Sequence, residues 1–117
     1  LVMPDKMSEE KRQNLRAFGA KVVITPTGVA PESPHSHYST AARLEREIPN
    51  SYFMNQYSNL SNRDTHYTFT GPEILEQTEG KFDALVIGMG TCGTISGLGK
   101  FFKEKLPKVK IIGVGLS

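Results

Sequence analysis

The chain has 117 residues, with 14 Lys+Arg against 12 Asp+Glu, 38% hydrophobic residues and a single cysteine, Cys92. This length fits one domain with a modest core, and a formal charge of +2 is too small to drive nucleic-acid or membrane binding by electrostatics. One cysteine excludes an internal disulfide and a thiolate zinc cluster, and the longest apolar run, Ala84 to Ile87, is far short of the roughly 20 residues that cross a bilayer. The expectation is a cytoplasmic protein with no nucleic-acid or membrane partner.

Leu1 to Pro4 reads as the end of a strand, and the chain stops at Gly115-Leu116-Ser117 straight after another, so the expectation is a piece of a larger protein. Ser8 as N-cap, Glu9 and Glu10 in the first turn, an apolar edge of Leu15 and Phe18, and Gly19 as a stop predict a helix over 8–18. Lys21 to Thr25 is β-branched and ends at Pro26, which predicts a buried strand and closes a β-α-β unit. The proline-rich stretch 26–37 reads as a loop. Ala41, Leu44 and Ile48 then fall at helical spacing, with Ser39 or Thr40 as cap and Pro49-Asn50 as the end. Tyr52-Phe53-Met54 is a short strand candidate, and 55–63 is polar and turn-rich. Helical character resumes at Asp64, with a break expected at Gly71-Pro72 before a segment carrying Ile74 and Leu75.

The last third has the sharpest pattern. Asp83 to Gly88 reads as a buried strand and Met89 to Gly93 as a glycine-rich turn. Thr94 is expected to cap a helix with the stripe Ile95, Leu98, Phe101 and Phe102, which Pro107 stops before a return strand over Val109 to Val114. Strand, turn, helix and strand in about thirty residues make a βαβ crossover, and the fold class is α/β with a mostly parallel sheet.

Gly90-Thr91-Cys92-Gly93-Thr94 therefore lies at the carboxyl end of a strand and opens a helix. Unpaired amide N–H groups and the positive end of the helix dipole converge there, glycine lets main chain approach an anion, and Thr91 and Thr94 add hydroxyl donors. The alternative is a tight turn that binds nothing. Gly88, Gly90 and Gly93 also match G-x-G-x-x-G, but no acidic residue ends the next strand to hold a ribose, and no Gly-Lys-Ser/Thr follows for a Walker loop. A phosphate monoester is the better fit. Gln56 and Tyr57, with Asn59, Ser61 and Asn62, form a second candidate site, because side-chain amides hold a carboxylate without adding charge. Its alternative is a polar loop that caps the next helix. His35 and His37 have no acidic or cysteine neighbour at ligand spacing and read as solvated, so no metal is expected. His66 reads as structural, Cys92 as a small residue in a tight turn, and Glu73, Glu76 and Glu79 as a solvated helix face.

These stretches together resemble the β-family, fold type II, of pyridoxal-phosphate enzymes, which includes cystathionine β-synthases and cysteine synthases. The resemblance is carried by VMPDKMSEEK, LRAFGAKVV, SPHSH, ARLEREIPNS, NQYSNLSN, HYTFTGPEILEQT, GKFDALV, GTCGTISG and KEKLP with IIGV. It is strongest toward an internal part of the cystathionine β-synthase branch. HYTFTGPEILEQT is shared with the cysteine synthase branch, which stays open as an alternative beside a non-catalytic phosphate-binding module. The resemblance implies that Gly90 to Thr94 holds the phosphate of pyridoxal 5'-phosphate and that Gln56 and Tyr57 lie beside the amino-acid substrate. The implied reaction is β-replacement, making cystathionine from serine and homocysteine in a homodimeric parent. Residues 1–60 would belong to a small mobile domain and 61–117 to a large cofactor-binding one, together about a third of a catalytic core of ordinary two-domain size. No catalytic residue falls in this chain, since the family's Schiff-base lysine motif matches none of its nine lysines. The sequence departs from the family at Cys92, where a glycine is usual, at Leu106 and Val109, where some members have a Cys-x-x-Cys pair, and at the tail Gly115-Leu116-Ser117.

Overall fold

The computed structural model describes residues 1–115, so Leu116 and Ser117 of the unusual tail lie outside the described residues. The chain forms two compact units that divide between Phe53 and Met54, where the length alone suggested one domain. Both are α/β with parallel strands, as expected.

In the first unit β1 (Val2–Pro4) pairs in parallel with β2 (Val23–Thr25), Val2 opposite Val23. The crossover is α1 (Glu9–Ala17), capped by the Ser8 hydroxyl, which accepts from the Lys11 N–H at 3.4 Å. At its other end Gly19 adopts φ +83°, the Gly19 N–H donates to the Arg16 carbonyl and the Ala20 N–H to that of Leu15. This double closure needs a left-handed residue, which glycine adopts without steric cost. The expected apolar edge of α1 is not buried: Phe18 is 90% exposed. Nor is β2 a buried strand: of its three residues only Thr25 is enclosed, and the sheet has two strands. The Asp5 carboxylate accepts from the Thr27 N–H and hydroxyl, and the hydroxyl contact, with help from the Thr27 amide and Arg12, holds its pKa below the usual carboxylate range.

Helix α2 (His37–Glu47) starts earlier than the apolar spacing suggests. Its cap is Ser36, buried, whose hydroxyl accepts from the Ser39 N–H at 3.0 Å and donates to the Pro31 carbonyl at 2.7 Å. Those two bonds make Ser36 a better cap than Ser39 or Thr40, which are already helical. Tyr52 to Met54 form no strand. Instead the Phe53 N–H donates to the Glu45 carboxylate at 2.8 Å and its ring meets Tyr38 edge-on at 5.4 Å, so a side chain of α2 takes the donor that a strand partner would have taken.

In the second unit a helical run occupies 61–77 without a break: α3 (Ser61–Thr65), a π-helical turn (His66–Thr70) and α4 (Gly71–Gln77). Pro72 was expected to interrupt it, because proline lacks an N–H and clashes with the carbonyl four residues back. The preceding turn is widened, with the Gly71 N–H donating to the His66 carbonyl, and that wider turn accommodates the ring within the first turn of α4. β3 (Ala84–Met89) and β4 (Lys110–Gly115) pair in parallel through α5 (Gly93–Lys105), with Val86 opposite Ile112.

The core is Ile87, Leu98, Phe101 and Phe102, with Tyr67, Ile74, Leu75 and Phe82 packed against it. Phe102 is fully enclosed, and its ring meets Phe101 at 5.1 Å and Phe82 at 5.2 Å, both edge-on. Each such side chain contributes about 1.5–3 kcal/mol on burial. The strands themselves are covered on one face only: Ile87 is buried while Val86 is 62% exposed and Ile112 43%. Tyr67 stacks under Lys100 and donates its hydroxyl to the Glu104 carboxylate at 2.7 Å, which raises its pKa because that bond needs the phenol proton. No helix among the described residues is long and apolar enough to cross a membrane.

Candidate functional site

The site forms where β3 hands over to α5. Cys92 is the N-cap, in the left-handed conformation at φ 64°, so the chain turns from strand to helix within Gly90 to Cys92. Thr94 is therefore a second-position helical residue and not the expected cap. The Ser96 N–H closes the first helical bond onto the Cys92 carbonyl at 3.0 Å, and the N–H groups before it have no partner within the helix. Cys92 is exposed, with its sulfur 3.9 Å from the Gly90 carbonyl. A Cβ on Gly90 would meet nothing within 4 Å, so the strand end opens onto free space.

Facing this turn are the polar segment before α3 and the first turn of α3. A cleft of about 170 Å³ lies between them, lined by Gln56, Tyr57, Asn59 and Asn62 on one side and by Thr91, Cys92 and Gly93 on the other. The structure thus brings most of the two predicted sites together. Gly90, Thr94 and Ser61 are not among its lining residues, and neither His35 nor His37 belongs to this unit. Among the described residues no carboxylate lines the cleft. Arg63, which also lines it, is paired with Asp64 at 2.7 Å. Among the described residues no three His, Cys, Asp or Glu side chains come together to hold a metal.

The polar side chains have distinct partners. Asn59 folds its own loop, accepting from the Ser61 N–H at 3.0 Å and donating to the Met54 carbonyl at 3.1 Å. Asn62 reaches across to Thr91, its Nδ2 lying 2.9 Å from the hydroxyl. His66, half-buried, joins Thr94 Oγ1 through Nε2 at 3.0 Å and Thr70 Oγ1 through Nδ1 at 3.0 Å. Asn62 and His66 thus hold the two threonines of the turn from positions 29 and 28 residues away, a relationship that no local pattern reveals. Close packing makes this possible. A Cβ on Gly93 would lie 2.3 Å from Asn62 Oδ1, and one on Gly97 2.4 Å from the Arg63 carbonyl.

Chemically, the site offers main-chain N–H groups at a helix start, hydroxyls and side-chain amides, beside an Arg63 already paired with Asp64. Such a set takes up an anion and orients it. Among the described residues no lysine lines the cleft.

Known proteins match almost the whole chain. It is 54% identical over 114 residues to cystathionine β-synthase of Mus musculus, covering 97% of this chain and 20% of that protein. It is 38% identical to cysteine synthase 3 of Caenorhabditis elegans, covering 97% of this chain and 33% of the other. In three dimensions it matches the crystal structure of a hydrogen sulfide-producing enzyme from Fusobacterium nucleatum, with a TM-score of 0.85 and 35% identity, over 96% of this chain and 36% of that one. The chain therefore spans about a fifth of the mouse relative's length. Since the profile of the pyridoxal-phosphate dependent enzymes matches residues 1–116, a run that contains the strand-turn-helix and the polar segment facing it, the chain belongs to that family.

Proposed function

We propose that this chain is part of a pyridoxal-phosphate-dependent lyase that makes cystathionine from serine and homocysteine, and that it holds the cofactor's phosphate at Gly90 to Thr94 and the substrate's carboxylate at Gln56, with Tyr57 beside it. The observation that carries the reading is the cleft that faces the start of α5, with no carboxylate among its described lining residues and with Gln56 and Tyr57 on its opposite wall. The fit to a phosphate rests on the donor set: first-turn N–H groups, the Thr91 hydroxyl and open space at Gly90. Cys92 takes the usual glycine position, and its left-handed backbone and exposed side chain leave the turn intact. When bound, pyridoxal phosphate supplies the electron sink for breaking and making bonds at the substrate's β-carbon. The chain's own residues bind and orient: the turn anchors the anion, and Gln56 offers an amide to the amino acid.

The 54% identity to a cystathionine β-synthase, against 38% to a cysteine synthase, favours the first reaction over sulfide incorporation. We assign residues 1–60 to the small mobile domain of the parent and 61–117 to its cofactor-binding domain, beside a unit division between Phe53 and Met54. A cytoplasmic homodimer with small-molecule substrates and no nucleic-acid or membrane partner completes the proposal.

Two measurements on the full-length protein test it. Thr94→Ala should raise the cofactor dissociation constant about tenfold or more, the effect of losing one hydrogen bond to a charged group of roughly 1.5–3 kcal/mol. Gln56→Ala should leave that constant nearly unchanged and raise KM for the amino acid. Unchanged cofactor affinity in Thr94→Ala, or cofactor loss in Gln56→Ala, moves the sites elsewhere. The isolated 117-residue chain should be inactive. Borohydride reduction with cofactor followed by mass spectrometry should find no uniquely modified lysine, and a single labelled lysine at full stoichiometry would place the Schiff base within the chain.

A further inference from the structure

Asn62 links the two walls of the cleft through one nitrogen. Its Nδ2 donates to the Gln56 main-chain carbonyl at 2.8 Å and to Thr91 Oγ1 at 2.9 Å. A carbonyl only accepts, so the atom facing Gln56 must be the NH₂ group, and the orientation of the amide follows from chemistry. Both of its hydrogens are then in use, and Thr91 Oγ1 is an acceptor in that contact. The Gly93 N–H approaches the same oxygen at 3.5 Å, from a second donor. With two donors on its oxygen, the Thr91 hydroxyl keeps its own proton for a group on the cleft side. The other end of the amide is fixed by packing, since Asn62 Oδ1 sits where any Cβ on residue 93 would have to go.

We propose that Asn62 is a positioning residue that makes Thr91 an obligatory donor to the cofactor's phosphate and, through the Gln56 carbonyl, sets the substrate-side segment against the phosphate turn. The proposal rests on the reading of Gly90 to Thr94 as the phosphate site. It adds a polarity to one hydroxyl and a mechanical tie between the two binding functions. Asn62 touches neither cofactor nor substrate in this role. Its effect on the phosphate passes through Thr91, and its effect on the substrate passes through the Gln56 backbone.

The test is a double-mutant cycle in the full-length enzyme, stripped of cofactor and titrated with pyridoxal phosphate by equilibrium dialysis. Asn62→Ala and Thr91→Val should each raise the dissociation constant roughly tenfold, the size expected for one hydrogen bond to a charged acceptor. The double variant should bind no more weakly than Thr91→Val alone, because without the hydroxyl Asn62 has nothing to orient. Thr91→Ser, which keeps the hydroxyl, should restore near-native affinity. KM for the amino acid should rise in Asn62→Ala and by the same factor in the double variant, since the Gln56 limb does not involve Thr91. If Asn62→Ala does not fold, Asn62→Ser is carried through the same cycle with the same expectation. Single effects that multiply in the double variant, or an Asn62 variant with native affinity beside a weakened Thr91→Val, overturn the proposal while leaving the phosphate site in place. A Thr91→Val enzyme with unchanged affinity overturns the phosphate reading itself.

Discussion

Gly93→Asp in the full-length protein is expected to weaken pyridoxal-phosphate binding by about a hundredfold or more while leaving most of the fold intact. Residue 93 opens α5, and an acid in the first turn of a helix is favourable for stability by about 0.3–1 kcal/mol. The same dipole and N–H groups that favour the carboxylate are those assigned to the phosphate, so the new side chain competes for them and repels a dianion. A second cost is steric: the Cβ falls 2.3 Å from Asn62 Oδ1, and moving Asn62 releases the Thr91 hydroxyl. Losing two hydrogen bonds to a charged group, each worth roughly 1.5–3 kcal/mol, sets the hundredfold scale. Gly93→Ala separates the causes, since it displaces Asn62 without adding charge, and should give a smaller loss. Dialysis of both variants against cofactor, with a melting curve as the fold control, decides the matter. Equal and native-like affinities would remove the phosphate from this turn.

The parts of this site that were legible in the sequence are those whose chemistry is local. A β-branched run into a glycine-rich turn, followed by an apolar stripe at helical spacing, announces β3, the turn and α5 within a residue or two, because strand and helix periodicities differ sharply there. Ser8 and Gly19 bracket α1 for the same reason: a cap is a short-range hydrogen bond. What escaped depends on partners far along the chain or on competition among several candidates. Ser36, Ser39 and Thr40 are all plausible caps by type, and only the bond from Ser36 to the Pro31 carbonyl distinguishes one of them. Tyr52 to Met54 have strand-forming residues, yet Glu45 satisfies the Phe53 N–H first. The π-helical turn before Pro72 has no compositional signature, so a proline that ordinarily marks a break sits inside a continuous run. Asn62 was legible as a site candidate and His66 as structural, but their partners were not, because each bonds a threonine nearly thirty residues away.

Gly97→Ala and Gly99→Ala should change stability in opposite directions, although both replace glycine inside α5. Alanine is about 1 kcal/mol better than glycine in a helix interior, so each substitution starts with that gain. At residue 99 the new Cβ would meet only Ile111 Cγ2 at 4.0 Å, an ordinary contact, and the gain should be realised. At residue 97 it would lie 2.4 Å from the Arg63 carbonyl, 2.7 Å from His66 Cβ and 3.0 Å from the Tyr67 nitrogen. Two of those atoms are main chain and cannot swing aside, so α5 must separate from the run over 61–70. Overpacking of this kind typically costs about 1–3 kcal/mol, and a clash with main chain belongs at the upper end, which outweighs the propensity gain. The same separation pulls Asn62 from Thr91 and His66 from Thr94, so Gly97→Ala should lose cofactor affinity as well as stability. Thermal melts of the two cofactor-free, full-length variants beside the parent read the first effect, and cofactor titration reads the second. A Gly97→Ala protein that melts at or above the parent would mean that α5 and the 61–70 run do not pack as closely as described, and the coupling of the threonines to Asn62 and His66 would fall with it.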